Sequence, residues 1–248
     1  MSQDAETANP VPQWIRRHVA SWHRKAGLRW YYSNQIFGRI APFMGPRALE
    51  IGTGPGFLAA HFPGIVRLDI VAGPQTEVVG DVHALPFRSG TFDTIVGVDV
   101  LHHFANPLVA LHECARALAP GGRLVFCEPW QTPLGSLYYR LVHHEGYRAS
   151  GNPWGPMLSG DDEMEGNTAI PWMMFREGGE TLQRHVPELR LRELQRFAFL
   201  SYLFTGGFKY PVGLPAPLLR ALAALEDIGG PITRSTMAMR ALIVMEKA

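Results

Sequence analysis

The chain has 248 residues, a formal net charge of +1 and an apolar fraction of 46%. This length accommodates one large α/β domain or a core domain with a cap, and the near-neutral charge argues against nucleic acid or an anionic membrane as a partner. Two cysteines exclude a disulfide framework and lack zinc-type spacing, so we expect two buried thiols. No apolar run approaches the ~20 residues of a membrane span, and the polar, acidic start is unlike a signal peptide, so we expect a cytoplasmic protein.

Residues 13–41 are predicted to form helices, and residues 1–12 a mobile lead-in before them. Apolar residues recur at helical spacing from 13 to 41, and Gly27 predicts a break between two helices. The basic residues of this segment are spread around the helix, which favours a solvated face over a site for an anionic partner. Its tryptophans and tyrosines are expected to pack on the core, and this packing is compatible with a lid. We therefore interpret residues 1–41 as an N-terminal helical lid.

The next segment, residues 42–129, alternates between strand and helix patterns. The helices are a short one at 57–62 and an amphipathic one that starts at Asn106-Pro107 and runs to 118, with a loop over 80–87. The predicted strands are 48–51, 65–70, 78–79, 92–98 and 123–129. Such alternation is typical of a doubly wound parallel sheet.

The pattern changes after this core. Residues 130–185 are rich in aromatic residues, glycine, proline and histidine, and we interpret them as an inserted substrate cap. A strand at 194–204, a helix at 218–227 and a strand at 237–245 would then complete the core within residues 186–248. The predicted fold is α/β: a Rossmann-like, doubly wound, seven-stranded and mostly parallel sheet with an antiparallel last strand, N-terminal helices and a cap.

A glycine-rich loop follows the first predicted strand, with the spacing Gly52-x-Gly54-x-Gly56. Glycines allow a sharp turn and bring a ligand close to the main chain. Dinucleotide-binding proteins use the spacing Gly-x-Gly-x-x-Gly, and here Phe57 occupies the place of their third glycine. The loop therefore argues against a bound pyrophosphate and favours a compact ligand that lies across it.

Several motifs occur together with this loop. An acidic residue precedes the glycines, another ends the second strand, and Gly-Asp-x-x-x-Leu-Pro-Phe, Asp-Val-Leu-His-His and Pro-Gly-Gly-Arg-Leu follow in that order between residues 47 and 129. In this set the chain resembles the class I S-adenosylmethionine-dependent methyltransferases, particularly the small methyltransferase-domain type of quinone and natural-product methylation. The resemblance implies S-adenosylmethionine as the cofactor.

The resemblance also implies roles for individual acidic residues. Glu50 would lie near the methionine moiety, Asp69 would accept the two ribose hydroxyls, and Asp81 would accept the adenine amino group while Val82 donates its backbone amide. Each acid also has a structural alternative, since Glu50 could cap backbone amides and an aspartate often only forms a turn. The remaining predicted cofactor-binding residues are Gly52, Thr53, Gly54, Gly56, Ile70 and Asp99.

Two histidines follow the fourth strand. Methyl transfer from a sulfonium is an in-line displacement, so the protein aligns the reactants and, where needed, removes a proton. His103, and after it His102, is the candidate base, because an imidazole titrates near neutral pH. The alternative is that the paired histidines serve packing.

The predicted acceptor-binding residues combine aromatic and histidine side chains. They are Tyr32, His103, Trp130, Tyr138, His143 and His144. His143, His144 and Glu145 could be taken for a metal site, but adjacent residues of a helix project differently and no third ligand is evident, so we expect no metal. A helix with surface histidines is the alternative.

Together these features predict a methyltransferase. It would move a methyl group from S-adenosylmethionine to an oxygen, nitrogen or carbon atom of a small, largely apolar or aromatic molecule in secondary metabolism, as a monomer or homodimer. One alternative is a protein of the same fold that uses the cofactor in another reaction, such as a cyclisation. Another is a non-catalytic partner subunit, which the intact glycine loop and Asp69 disfavour.

Overall fold

The computed structural model describes residues 11–141, 146–156 and 166–248. These residues contain one seven-stranded sheet with the strand order β3-β2-β1-β4-β5-β7-β6. The strands are β1 (Ala48–Ile51), β2 (Val66–Asp69), β3 (Val78–Val79), β4 (Phe92–Val98), β5 (Leu118–Pro129), β6 (Leu189–Phe197) and β7 (Arg240–Lys247).

The strand directions confirm the predicted fold class. Neighbouring strands from β3 to β5 run parallel, whereas β7 lies antiparallel between β5 and β6. The chain order reverses between β1 and β4, and an open α/β sheet binds its ligands at such a reversal, beyond the carboxyl ends of the strands.

Both faces of the sheet are buried. All four residues of β1 are buried, with Leu49 and Ile51 in one apolar cluster and Ala48 in the other. In β5, Leu124 and Phe126 join the first cluster, while Val125 and Cys127 join the second. This alternation follows from the period of two along a strand. As predicted, both thiols are buried and free.

Helices pack around this sheet, and Asn106 caps the start of one of them by accepting the Val109 N–H. None of the described helices is long and apolar enough to cross a membrane. The helices are α1 (Gln13–Arg24), α2 (Ala26–Tyr31), a π-helical turn (Tyr32–Phe37), α3 (Gly38–Ile40), α4 (Pro107–Ala117), α5 (Pro133–Leu141), α6 (Ile170–Phe175), α7 (Gly179–His185), α8 (Leu200–Leu203), α9 (Ala216–Ile228) and α10 (Gly230–Thr236).

The prediction that Gly27 breaks the N-terminal helices was wrong. The break lies at Lys25, whose backbone is extended, and Gly27 lies inside α2. A Cβ atom at Gly27 would lie 2.0 Å from the carbonyl oxygen of Leu214. Glycine is therefore needed here because α2 closely approaches the segment before α9.

Two further predictions need correction. Residues 57–62 form turns rather than a helix, because the segment lies between the left-handed Gly56 and the Pro63-Gly64 pair. The predicted strand at 194–204 is displaced: β6 ends at Phe197, Ala198 takes a positive φ of 57°, and helix α8 follows. The apolar run at 199–203 suits a short buried helix as well as a strand, and periodicity alone does not separate the two.

Candidate functional site

A cavity of about 960 Å³ lies where the strand order reverses. Its floor is formed by residues at the carboxyl ends of β1, β2 and β4 and by the loops that follow them. This volume is at the upper end of the ~300–1,000 Å³ that is usual for ligand pockets. The cavity therefore has room for more than one small ligand.

Two positions of the glycine loop, Gly52 and Gly56, have no space for a side chain. Gly52 has a φ of +68°, and a Cβ atom there would lie 2.3 Å from Val100 Cγ2. Gly56 has a φ of +76°, and its Cβ would lie 2.6 Å from the Gln75 side chain. Phe57, which replaces the third glycine of a dinucleotide loop, stacks on Trp22 at 4.1 Å and 8°. The glycines thus let the loop pack closely against Val100 and Gln75, and Phe57 packs against helix α1.

Glu50 is a buried acid on the cavity floor. It is 4% exposed, and its Oε2 atom has no hydrogen-bond partner among the described residues. Burial raises the pKa of Glu50 to about 8, an effect that the neighbouring Thr53 hydroxyl and Arg67 oppose and Asp69 reinforces. A buried carboxylate without a partner is costly, so this position favours a cationic ligand. The structure shows no amide-capping role for Oε2.

Asp69 is anchored through both carboxylate oxygens. Oδ2 accepts the Gly54 N–H at 2.7 Å and Oδ1 accepts the Val71 N–H at 2.9 Å. These bonds correspond to the structural alternative, yet a carboxylate has about four lone-pair sites and keeps two of them for a ligand. Asp69 and the exposed Ile70 both line the cavity, as do Thr53 and Val82.

Asp81 also lines the cavity and is held by one neighbour. Its Oδ1 accepts the backbone N–H of His83 at 2.9 Å and lies 2.6 Å from Nδ1 of the same residue. Burial raises the pKa of the Asp81 carboxyl, but the hydrogen bonds from His83 outweigh it and leave the pKa below its usual value. Asp81 is therefore both a turn residue and an ionised acid at the cavity.

Asp99 takes part in a half-buried ion pair that the sequence did not reveal. Its Oδ1 accepts from Nη1 of Arg240, at the start of β7, and its Oδ2 lies 3.4 Å from the Tyr32 hydroxyl. Arg240 is 1% exposed. Burial alone would lower the pKa of Arg240, but Asp99 raises it well above its usual value. In the sequence, the one indication of this ion pair was Arg240, a charged residue directly before the apolar run 241–245.

The two histidines after β4 have different surroundings. His102 is buried, and its Nδ1 lies 2.6 Å from Oε2 of the buried Glu128 at the end of β5. Glu128 Oε1 accepts the backbone N–H groups of Val100 and Leu101 at 2.9 Å each. His103 is partly exposed in the cavity, and its ring lies 4.2 Å from that of His102. Glu128 was also missed, although a carboxylate at a strand's carboxyl end could have indicated it.

The predicted acceptor residues divide into three groups. Tyr32, His103 and Tyr138 line the cavity. Trp130 does not, because it is 3% exposed within the apolar core. His143 and His144 lie outside the described residues, and so does Glu145. Among the residues that the structure describes, no group of three or more histidine, cysteine, aspartate or glutamate residues could hold a metal ion.

An aromatic wall closes one side of the cavity. Residues 204–214, here named the Phe208 loop, face α1 across it. The Phe208 ring stacks on His18 at 4.3 Å and on Phe57 at 5.8 Å. The Lys25 ammonium donates to the carbonyl oxygens of Gly207 and, at 3.0 Å, of Tyr210. The Phe208 loop was not predicted as part of the site, because its partners are more than 150 residues away in the chain.

The comparisons with known proteins agree with this geometry. Residues 49–126 match the family model described as a methyltransferase domain. A demethylmenaquinone methyltransferase of Mycolicibacterium vanbaalenii is 36% identical over 87 residues, which cover 35% of this chain and 38% of that protein. One of Clavibacter sepedonicus is 34% identical over 111 residues, which cover 38% of this chain and 45% of that protein. The chain thus matches less than half the length of these curated relatives.

Two solved structures share the fold over nearly the whole chain. A geranyl diphosphate methyltransferase in complex with S-adenosylmethionine aligns over 97% of this chain and 93% of its own, with 14% identity and a TM-score of 0.52. A structure from Haloferax volcanii, a complex of a methyltransferase with the Trm112 methyltransferase activator, aligns over 94% of both chains, with 17% identity and a TM-score of 0.51. At these identities the likeness shows the fold alone. Residues 49–126 therefore match a methyltransferase domain, and the fold that these structures share extends over nearly the whole chain.

Proposed function

We propose that this protein transfers a methyl group from S-adenosylmethionine to a small, largely apolar or aromatic acceptor. The observation that carries the proposal is Glu50, a buried acid with an unpartnered oxygen beside a glycine loop in which Gly52 and Gly56 have no room for a side chain. The matched methyltransferase segment supports the same conclusion.

The residues of the cavity fit this cofactor. S-adenosylmethionine carries a sulfonium and an ammonium group but no phosphate, and a cationic end would compensate the buried Glu50. Gly52 and Gly54 bring main chain without side chains to the cavity. Asp69 would accept the ribose hydroxyls with its remaining lone pairs. Asp81 and the Val82 amide would bind the adenine, with Thr53, Ile70 and Asp99 completing the contacts.

His103 is the group that we assign to proton removal. Bound S-adenosylmethionine supplies an electrophilic methyl group, so the protein has to align the acceptor and take its proton where one is lost. His103 is a partly exposed histidine of the cavity that follows β4, whereas His102, which also lines the cavity, is buried and held by Glu128. We therefore propose that Glu128 fixes the His102 ring and that His102 supports the ring of His103.

The acceptor would lie among aromatic side chains. Tyr32, Tyr138, His18 and Phe208 line the cavity, and flat rings bind to such walls by stacking or by edge contacts. A nucleic acid acceptor would call for a basic stripe, whereas the net charge is +1. We propose that residues 1–41 act as the lid and residues 130–185 as the cap over a natural-product-like acceptor of secondary metabolism.

Calorimetric titration with S-adenosylmethionine tests the proposal. We expect the unmodified protein to bind the cofactor and Glu50→Gln to bind it about 10- to 100-fold more weakly, as expected for a lost hydrogen bond to a charged group of about 1.5–3 kcal/mol. Glu188→Gln, at an exposed glutamate outside the cavity, is the matched control and should bind normally. Absence of binding by the unmodified protein would overturn the proposed function.

A further inference from the structure

His83 connects the cavity to the start of helix α4. Its ring nitrogen Nε2 lies 3.1 Å from the backbone nitrogen of Asn106, the residue that caps α4. Its other nitrogen, Nδ1, lies 2.6 Å from Asp81 Oδ1. The ring also lies edge-on to Phe104, with 6.0 Å between the centroids. These contacts hold the imidazole from three directions beside an acid of the cavity.

The hydrogen bonds determine the tautomer of His83. A backbone N–H can only donate, so Nε2 has to be the unprotonated nitrogen that accepts it. In the neutral ring Nδ1 then carries the proton and donates it to Asp81. The backbone N–H of His83 donates to the same oxygen. Both donors of His83 therefore occupy Oδ1 of Asp81, which leaves Oδ2 for a ligand.

We propose that His83 is a positioning residue that makes the site selective for a 6-aminopurine. With Oδ1 held by His83, the carboxylate cannot rotate freely, and Oδ2 keeps a fixed direction as an acceptor. Such an oxygen attracts the exocyclic amino group of adenine and repels the exocyclic carbonyl of a 6-oxopurine. This inference rests on the proposed function, because it assumes that the adenine binds at Asp81.

Two ligands separate selectivity from general binding. S-adenosylhomocysteine has the amino group, and S-inosylhomocysteine has a carbonyl in its place. We expect the unmodified protein to prefer the adenosyl ligand in calorimetric titrations. His83→Ala should weaken the adenosyl ligand about tenfold and leave the inosyl ligand unchanged or slightly stronger, because the carboxylate then keeps only the backbone N–H of residue 83 and turns more easily.

Two substitutions divide the contacts of His83 between them. His83→Asn keeps an N–H at the place of Nδ1, so it should keep the preference for the adenosyl ligand. His83→Gln can accept the Asn106 N–H but lacks the donor to Asp81, so it should lose the preference. His112→Ala is the control, since His112 is an exposed histidine of α4 that lies 3.3 Å from Glu188.

The tautomer provides a readout that does not depend on a ligand. We expect two-bond and three-bond ¹H–¹⁵N correlation spectra to show His83 with a protonated Nδ1 and an unprotonated Nε2. A protonated Nε2 in the neutral ring, or an unchanged ratio of the two affinities in His83→Ala, would overturn this inference while leaving the proposed function intact. Failure of the unmodified protein to bind either ligand would refute both.

Discussion

The wall of the cavity has two parts that are built differently. The first part is residues 50–82, which supply Glu50, the glycine loop, Asp69 and Asp81. The hydrogen bonds that anchor its two aspartates are local in sequence, and the longest of them joins Gly54 and Asp69, 15 residues apart. The second part is formed by Tyr32, Asp99 and Arg240, where the ion pair joins residues 141 positions apart. Local geometry thus determines the first part, and the completed sheet determines the second.

This difference has a functional meaning. We assign the first part to a cofactor whose shape does not vary, and a contiguous segment can carry such a site from protein to protein. The second part includes Tyr32, which we assign to the acceptor, and Asp99, which borders the cofactor, and it depends on β7 and on the N-terminal helices. Substitutions in the two parts should therefore fail in different ways, and the following predictions test this expectation.

The largest expected effect is on catalysis. His103→Gln should lower kcat about 10²- to 10⁴-fold, the range for loss of a general base, while the affinity for S-adenosylmethionine measured by calorimetry stays unchanged. The two measurements together separate the acceptor side from the cofactor side. His112→Gln, on an exposed face of α4, is the control. Full turnover of His103→Gln from about pH 6 to 9 would remove His103 as the base.

The next effect concerns the ion pair of the second part. Asp99→Asn leaves the buried Arg240 without a counter-charge and should lower the free energy of unfolding by about 3–5 kcal/mol. In the control Glu246→Gln, which breaks an exposed pair with Arg192, the loss should be below about 1 kcal/mol. Urea unfolding measures both.

A double substitution sharpens this result. Arg240→Met combined with Asp99→Asn removes both charges and should recover part of the lost stability, since an unpaired buried charge costs more than the pair itself contributes. Equal losses in Asp99→Asn and Glu246→Gln would show that the Asp99–Arg240 pair is not desolvated. The second part of the wall would then not depend on it.

The same division explains what could be predicted from the sequence. The strands at 48–51, 78–79 and 92–98 were predicted with the bounds that the structure shows, because each is a short apolar run between turn residues. The cavity residues of the segment 50–82 were predicted because motif spacing places them at the ends of consecutive strands. Both are local properties of the chain.

The residues that were missed depend on tertiary structure. Arg240, Glu128 and Phe208 reach the site only after the sheet is complete and the Phe208 loop has packed on α1. Trp130 was predicted at the acceptor site, yet its backbone N–H bonds to Met239 and its ring lies in the core. An aromatic residue after a strand has the same local pattern in either place, so only the fold decides between them.

A third prediction concerns the connection between the N-terminal helices and the Phe208 loop. Lys25 is 6% exposed, and its ammonium donates to two carbonyl groups of that loop. Lys25→Met keeps the apolar stem but loses both bonds, and should lower the free energy of unfolding by about 1.5–3 kcal/mol. It should also speed cofactor release in stopped-flow experiments. Lys209→Met, at an exposed lysine of the same loop, is the control. If both substitutions lower the free energy of unfolding equally, Lys25 does not stabilise the connection between the N-terminal helices and the Phe208 loop.

The smallest expected effect is a proton released at the first part of the wall. Burial raises the pKa of Glu50 to about 8 in the free protein, so the group is mostly protonated near pH 7. A cationic ligand favours the carboxylate, and binding should then release close to one proton near pH 7 and almost none above about pH 9. The number of protons released is measured from the dependence of the calorimetric binding enthalpy on the ionisation enthalpy of the buffer. Glu50→Gln should abolish the proton release.

The raised pKa also predicts the pH dependence of the free protein's stability. Because the pKa of Glu50 is higher in the folded state than in the unfolded state, the group stabilises the fold in its protonated form, and this contribution is lost as the pH rises from about 4.5 to about 8. Glu50→Gln cannot ionise, so relative to the unmodified protein it should gain stability across that range. If the free energies of unfolding of Glu50→Gln and the unmodified protein differ by the same amount at every pH, the Glu50 carboxyl is in contact with water. In that case the compensation of a buried acid would no longer explain why a cationic cofactor binds at the glycine loop.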